Sequence, residues 1–473
     1  MGPKGDAQTA MSTPEKAWSV VFTNQMVELI VKHTNEEIER RLALCEPTQL
    51  QSYHSTTDEV EMRALIGLLF IIGVTKSSRV SSEVLWCPRK GQSTIRATMA
   101  RNRFKFLLAC IRFDDKSTRA LRRETDKFAP IRELWSLFIN RCQEIYSPSE
   151  YVTVDEQLLG FRGRCSFKMY IPSKPDKYGL KVICMNDSKT FYLINAIPYV
   201  GKVEDKPPDI GVAEHLVRQI STPILGSRRN ITCDNWFSSV SLFDHMLSTH
   251  DCTMVGTLKK NKRDVPPEFT RPKQAGSSIF GFDSTKTLVS YFPKNKKCVL
   301  LLSTMHSDDA VDKETGKPEI ILFYNSTKGG TDTFDQLCHA YTATRSTRRW
   351  PLRYFYGMLD QGGVNAYVLF LLKNPDARLK RSTFLFDLGY SMVEPLMKRR
   401  FELTSLRRSL KIAIKDVLGG STPPYQARDL LPRRIRCSVC DRSHDHKTRV
   451  KSYSCSTPIC SVHQVYLCED CAM

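Results

Sequence analysis

A chain of 473 residues with 41% hydrophobic residues is long enough for two to four domains and too apolar to be a disordered polymer. Its 70 Lys and Arg against 50 Asp and Glu give a formal charge of +20, spread along the whole length, which points to a nucleic-acid partner. Residues 1–10 are polar and argue against a secretory leader, and the longest apolar run, 65–74, is too short to span a bilayer, so no membrane role is expected.

The first part of the chain reads as helical. Residues 23–44 carry apolar side chains at helical spacing, with Thr34 and Glu37 resembling a capping box within them. Residues 58–74 predict a second helix with a strongly apolar face, and 95–112 and 128–146 predict two more. Between these last two, the basic run 116–123 reads either as a solvated helix face or as a contact to a DNA backbone.

From Tyr151 the pattern changes to strands. Tyr151, Val152 and Val154 predict a short strand, with Asp155 where it emerges. A glycine- and arginine-rich segment follows, and then a basic, aromatic loop over 170–179. A carboxylate at a strand end beside such a loop suits holding a divalent cation next to a polyanion. Strands at 181–185, 191–198, 231–234 and 254–258 alternate with helices at 212–220 and 239–248, giving a mixed α/β core. Residues 230–237 repeat the pattern of an apolar strand ending in an aspartate, here Asp234. Residues 328–336 place Asp332 and Asp335 three apart on one face of a helix start, with Thr331 as the expected N-cap.

Residues 258–317, rich in Lys, Pro, Gly and Ser, interrupt this core with short strands at 287–292 and 297–303, and begin with a basic patch that includes Lys259 and Lys260. The core resumes at 319–324. Helices return at 350–372, 384–401 and 404–417, and 419–432 is a Gly- and Pro-containing linker. Ten of the 16 cysteines are scattered singly, as reduced thiols are. The other six crowd the end of the chain among histidines: Cys437, Cys440, His444, His446, Cys455, Cys460, His463, Cys468 and Cys471. Two CxxC pairs and a CxxH in so short a segment are zinc-ligand spacing, in a unit with too little core to fold without metal.

Three stretches, 153–164 (TVDEQLLGFRGR), 232–237 (TCDNWF) and 327–336 (TKGGTDTFDQ), resemble the signature of piggyBac transposases, and the resemblance runs from about Val21 to Met473. It implies an α/β RNase H-like catalytic core with a β-rich insertion, flanked by a split all-α DNA-binding and dimerisation domain and a small C-terminal zinc-binding cross-brace. The implied layout is 1–150 helical, 151–257 catalytic, 258–318 insertion, 319–341 catalytic, 342–418 helical, 419–434 linker and 435–473 cysteine-rich. The resemblance makes Asp155, Asp234 and Asp332 a triad holding Mg2+ or Mn2+, with Asp335 an accessory acid. Arg162, Arg164, Lys168, Lys174 and Lys177 would then meet phosphates beside the site, as would Lys259 and Lys260. Arg345, Arg348, Arg349 and Trp350 would hold DNA near the cleavage point, Trp350 either by stacking on an unpaired base or as an ordinary core aromatic.

A cross-brace implies two zinc ions, the first on Cys437, Cys440, Cys460 and His463. The second would take Cys455, Cys468 and Cys471, but Ser452 and Pro458 stand where a CxxC partner of Cys455 is expected. His446 or His444 is left to complete it, or the second site is weak or lost. The implied activity is cut-and-paste transposition in the nucleus by a homodimer: cleavage at terminal inverted repeats of double-stranded DNA, hairpin intermediates, and insertion at TTAA. The alternatives are a domesticated, non-catalytic DNA-binding protein of the same ancestry and, third, a nuclease without strand transfer.

Overall fold

The structure is a computed structural model and describes residues 1–9, 11–172, 174–201, 206–271, 273–419, 430–452 and 456–464. Its strands are β1 (Tyr151–Gly160), β2 (Met169–Tyr170), β3 (Tyr178–Asp187), β4 (Leu193–Pro198), β5 (Asn230–Cys233), β6 (Thr253–Thr257), β7 (Ser278–Phe282), β8 (Thr287–Lys294) and β9 (Lys297–Ser303), besides a few two-residue pairings. The principal helices before the sheet are α1 (Pro14–Val21), α2 (Asn24–Leu42), α3 (Glu59–Val74), α4 (Ser93–Thr98), α5 (Arg101–Cys110) and α6 (Arg132–Glu144). Within and after it come α7 (Val212–Ile220), α8 (Val240–His250), α9 (Glu319–Thr327), α10 (Gly330–Ala340), α11 (Trp350–Lys373), α12 (Arg381–Phe401) and α13 (Arg408–Val417). No helix among the described residues is long and apolar enough to cross a membrane.

The chain divides into two compact units. The first comprises residues 1–33, 73–78 and 112–387 and holds one mixed sheet in the order β2-β3-β1-β5-β6-β9-β8-β7, with β4 also on β3. β1, β5 and β6 are parallel, and the remaining pairings are antiparallel. Strand β1 does not stop at Asp155, as the sequence pattern expects, but runs on to Gly160. The reason is its antiparallel partner β3, which matches it from Val152 opposite Asp187 to Gly160 opposite Gly179. Residues 258–317 supply β7, β8 and β9, which continue the sheet outward from β6. Their Val289 and Leu301 share an apolar cluster with Val255 of β6 and with Ile320 and Ile321 of α9.

Helix α11 crosses the interior of this unit and is buried on nearly every side, as an all-round apolar helix must be. Helix α1, which the periodicity does not single out, packs against α11 and starts on a Thr13 cap followed by Pro14 at the first helical position. Four residues of α11 at four-residue spacing, Arg353, Gly357, Gln361 and Asn365, form a stripe toward the sheet. Arg353 Nε donates to the Gly160 carbonyl (3.0 Å), and Gln361 reaches Gln157 (2.8 Å). A Cβ on Gly357 would lie 3.0 Å from Leu159, and Asn365 bonds both backbone groups of Leu193. The basic run 116–123 is partly structural, since Arg119 and Arg122 both pair with the buried Asp114.

The second unit comprises residues 34–72, 79–111 and 388–473. Residues 95–112, expected as one helix, form α4 and α5 instead, separated at Met99 and Ala100 in extended backbone. The Met99 carbonyl accepts from the Trp86 indole (2.8 Å), a tertiary contact with no local signature. The expected capping box inside α2 is absent as such, because the helix is continuous there and Glu37 instead takes Arg40 and Arg41. Helices α3 and α12 cross at Gly67 and Gly389 so closely that a Cβ on Gly67 would lie 2.6 Å from the Gly389 carbonyl oxygen.

Arg103 is the polar anchor of this unit. Its guanidinium meets Glu61 with two bonds (2.8 and 2.6 Å) and donates to the carbonyls of Tyr53, Ser55 and Thr56. Removing it would strand a mostly buried carboxylate and three carbonyls together, and breaking such a pair costs about 3–5 kcal/mol. Arg103→Met is expected to lower the melting temperature sharply, and Arg103→Lys to recover little, because an ammonium lacks the planar fork. A thermal melt followed by circular dichroism checks both.

Candidate active site and metal centre

The odd-numbered side chains of β1 share one face of the sheet, and α10 lies over that face. Thr153 comes first. A Cβ on Gly330, the first residue of α10, would stand 2.3 Å from its hydroxyl, so only glycine lets the helix start this close. The junction between α9 and α10 is held down by hydroxyl groups. Thr153 donates to the Thr327 carbonyl (2.6 Å), Thr232 bonds the Thr327 hydroxyl (2.8 Å), and Thr331 donates to Asn186 (3.0 Å). Thr331 is therefore a buried tether and not the N-cap expected from the sequence, a position taken by Gly329.

Asp155 is next along β1, in mid-strand. Val154 is in register with Cys233 of the parallel strand β5, so Asp234, one residue past that strand, lies beside Asp155. Asp234 closes a turn: its carboxylate accepts from Trp236 N (2.9 Å), and its carbonyl accepts from the Ser238 hydroxyl (2.8 Å). The two carboxylates thus stand where the parallel pairing of β1 and β5 ends, Asp155 within its strand and Asp234 just past its own. Asp332 and Asp335 come in on the first turns of α10, Asp332 exposed and Asp335 mostly buried against Gln157 (2.8 Å).

The electrostatics register this convergence. Burial, and then the charges of Glu156 and Asp234, push the Asp155 carboxyl up to about 8. Lys174 answers from the loop after β2. Its ammonium donates to the Glu156 carbonyl (3.0 Å) and lies 3.4 Å from Asp332. Burial opposes its charge, but Asp155, Asp332, Glu156 and Asp335 outweigh that and raise its pKa. Carboxylate oxygens that draw in an ammonium fit hard divalent cations.

The remaining basic candidates divide by placement. Arg162, Arg164, Lys177, Lys259, Lys260 and Arg348 are exposed. Lys168 donates to the Gly163 carbonyl (3.2 Å), and Arg345 donates to the carbonyls of Ser77 and Ser78. Arg349 is half-buried at the start of α11. Trp350 is built into an aromatic cluster, stacked on Phe128 with Phe167 and Tyr354 at its edges. One exposed aromatic pair was not foreseen. Tyr170 and Tyr178 face each other across β2 and β3 with ring centroids 4.8 Å apart, and Arg162 and Lys168 lie over the Tyr178 ring. The signal was present in the aromatic loop over 170–179, but strand register was needed to pair the rings.

In the second unit, Cys437, Cys440, Cys460 and His463 bring one ligand atom each within 4.8 Å of one another. Cys440 and Cys460 sulfurs are 3.7 Å apart, and His463 Nδ1 lies 3.3 to 3.7 Å from the three thiols. A tetrahedral zinc with sulfur ligands at ~2.3 Å has edges of about 3.8 Å, so three sulfurs and one nitrogen here fit zinc. The Cys460 amide also donates to the Cys437 sulfur (3.2 Å), a bond that favours thiolate. His446 is outside this group, its ring stacked near that of His444. Cys455, Cys468 and Cys471 lie outside the described residues.

A family model described as Transposase IS4 matches residues 13–367. The cryo-EM structure of the piggyBac transposase synaptic complex with hairpin DNA is similar over 99% of this chain and 99% of that chain, with a TM-score of 0.87 and 36% sequence identity. Among curated proteins of Homo sapiens, PiggyBac transposable element-derived protein 3 is 26% identical over 384 residues, which cover 76% of this chain and 62% of that protein. The chimeric ERCC6-PGBD3 protein is likewise 26% identical over 384 residues, covering 76% of this chain and 34% of the chimera. The chain thus spans less than two thirds of the length of these human relatives. The near full-length match in both sequence and structure means that this chain belongs to the piggyBac family of transposases.

Proposed function

We propose that this chain is a cut-and-paste DNA transposase that cleaves the ends of its own element through hairpin intermediates and inserts them at TTAA. The observation that carries the reading is Asp155 beside Asp234 where the parallel pairing of β1 and β5 ends, with Lys174 under the influence of Asp155, Asp332 and Asp335 together. Support also comes from the solved relative, captured in a synaptic complex with hairpin DNA, and from the +20 charge of this chain. In this reading 151–257 and 319–341 are an RNase H-like core, 258–318 its insertion, and 1–150 with 342–418 a helical DNA-binding and dimerisation domain. Residues 419–434 link these to 435–473, which bind the transposon end, and the protein works as a homodimer in the nucleus.

Asp155, Asp234 and Asp332 would hold Mg2+ or Mn2+, which supplies Lewis acidity to the attacking and leaving oxygens. The protein contributes placement. Strand register fixes Asp155 against Asp234, and the hydroxyl tethers hold the start of α10, which carries Asp332, against β1 and β3. Lys174 sits at the rim as a cation for a phosphate oxygen, and Arg162, Arg164 and Lys177 extend the basic surface. The exposed Tyr170–Tyr178 pair offers ring faces beside those cations. Hydrolysis of one strand gives a 3′-hydroxyl and a 5′-phosphate. That hydroxyl then displaces a 3′-hydroxyl on the opposite strand, conserving the number of phosphodiester bonds and closing the hairpin.

The test is excision in cells of a reporter flanked by the element's own ends, with sequencing of the repaired donor junctions. Wild-type excision restoring a single TTAA, absent with Asp234→Ala, is the expected result. Intact end binding with no excision by the wild type would instead assign a non-catalytic DNA-binding protein of the same ancestry.

A further inference from the structure

Behind Asp335 lies a buried amide relay. Gln157 is 1% exposed and Gln361 fully buried. Gln157 Nε2 donates to Asp335 Oδ1 (2.8 Å), and its Oε1 accepts from Gln361 Nε2 (2.8 Å). Gln361 Oε1 is buried with no hydrogen-bond partner among the described residues. An ionised carboxylate only accepts, so Gln157 must turn its NH2 to Asp335. Its oxygen then faces position 361, which must in turn present an NH2. One charge thereby sets the orientation of two amides, and the relay terminates in an orphaned oxygen that costs about 1–3 kcal/mol. Two apolar side chains of equal length would fill the same space without that cost. The pair is also part of a built element, because Gln361 belongs to the α11 stripe that meets β1 at Gly160, Leu159 and Gln157 in turn.

We propose that Gln157 and Gln361 are positioning residues for the metal site: they hold one oxygen of Asp335 and so keep the carboxylate fixed, with its other oxygen as the donor toward the divalent cation. This rests on the transposase reading of the four aspartates. Groups that orient a metal-binding carboxylate from behind typically change metal affinity by ~10–100-fold when removed.

The test uses the full chain with Gln157→Met, Gln361→Met and the double variant, alongside wild type and Asp234→Ala. Mn2+ affinity is read from the electron paramagnetic resonance signal of the free ion, stability from thermal melts, and the Mn2+ dependence of strand cleavage gives half-saturation and maximal rate separately. The single variants are expected to weaken Mn2+ binding ~10-fold or more and to raise half-saturation in step, with a smaller change in the rate at saturating metal. The double variant no longer orphans the Gln361 amide, so it should melt above Gln157→Met, while its Mn2+ affinity stays weak because Asp335 still lacks its donor. A double variant that recovers Mn2+ affinity together with stability would overturn the proposal, as would single variants that melt lower yet bind Mn2+ as wild type does. If wild type and Asp234→Ala bind Mn2+ alike, the metal-site reading itself fails, and this inference with it.

Discussion

Asp234→Ala is expected to cut no DNA while binding the element's ends as the wild type does. Removing a charge from the carboxylate set forfeits several kcal/mol of transition-state stabilisation, roughly 10^3-fold in rate or more. DNA affinity is set by the basic surface and loses nothing from one fewer acid. A cleavage gel and a mobility-shift titration on the same end fragment check the two halves, and strong residual cleavage would remove Asp234 from the triad. Asp155 carries a companion prediction on stability. Its carboxyl is held up to about 8 by burial and then by Glu156 and Asp234, against about 3.9 in an unfolded chain. A folded-state value above the unfolded one means that the unfolded chain releases its proton first. Stability is therefore lost as pH rises from about 4 through 8. In chelator, wild type is expected to melt lower across that range, and Asp155→Asn, which has no charge to suppress, to lose less. The site is held ready at the expense of the fold that holds it.

Stripping zinc is expected to unfold the cysteine-rich module and abolish specific end binding. Binding free energies of about 10–16 kcal/mol are typical of structural zinc, far more than a unit this small gains from its core. Cys460→Ser should have the same effect, because it removes one of four ligands and also disturbs the amide bond to Cys437. Atomic absorption on protein purified without added metal is expected to find at least one zinc per chain. Hydrogen exchange should show protection over 435–463 lost on chelation. Purified protein that carries no zinc, or a Cys460→Ser variant that retains it, would refute the assignment.

What the sequence revealed and what it concealed follow from how local each signal is. The strands carrying Asp155 and leading to Asp234 were legible from their apolar runs, and the helix of Asp332 and Asp335 from its spacing. The true length of β1 was not, because the strand continues through acidic and polar residues only by pairing with β3 along its whole length. The break between α4 and α5 was hidden for a similar reason: no Gly or Pro marks it, and the Trp86 indole that takes the Met99 carbonyl is remote in the pattern. Thr331 reads as an N-cap until Asn186 is seen beside it. The stripe Arg353, Gly357, Gln361, Asn365 is visible as a spacing, yet nothing in that spacing says that it meets β1. The cluster of Cys437, Cys440, Cys460 and His463 was legible, since a CxxC and a CxxH carry their own geometry.

The connectivity of the sheet also sets a timetable. The hairpins of β3 with β4 and of β8 with β9 join neighbours in the chain and close early, whereas β1 must wait for β5, and α10 arrives only after β7, β8 and β9 have been made. Contacts between remote stretches form late, because their loop-closure entropy is met before they return any stabilisation. A nascent chain that has emerged from the ribosome only as far as β5 has two of the three carboxylates and lacks the helix that delivers the third. On the transposase reading, the site thus stays incomplete until the chain has been made through α10, Gly330–Ala340.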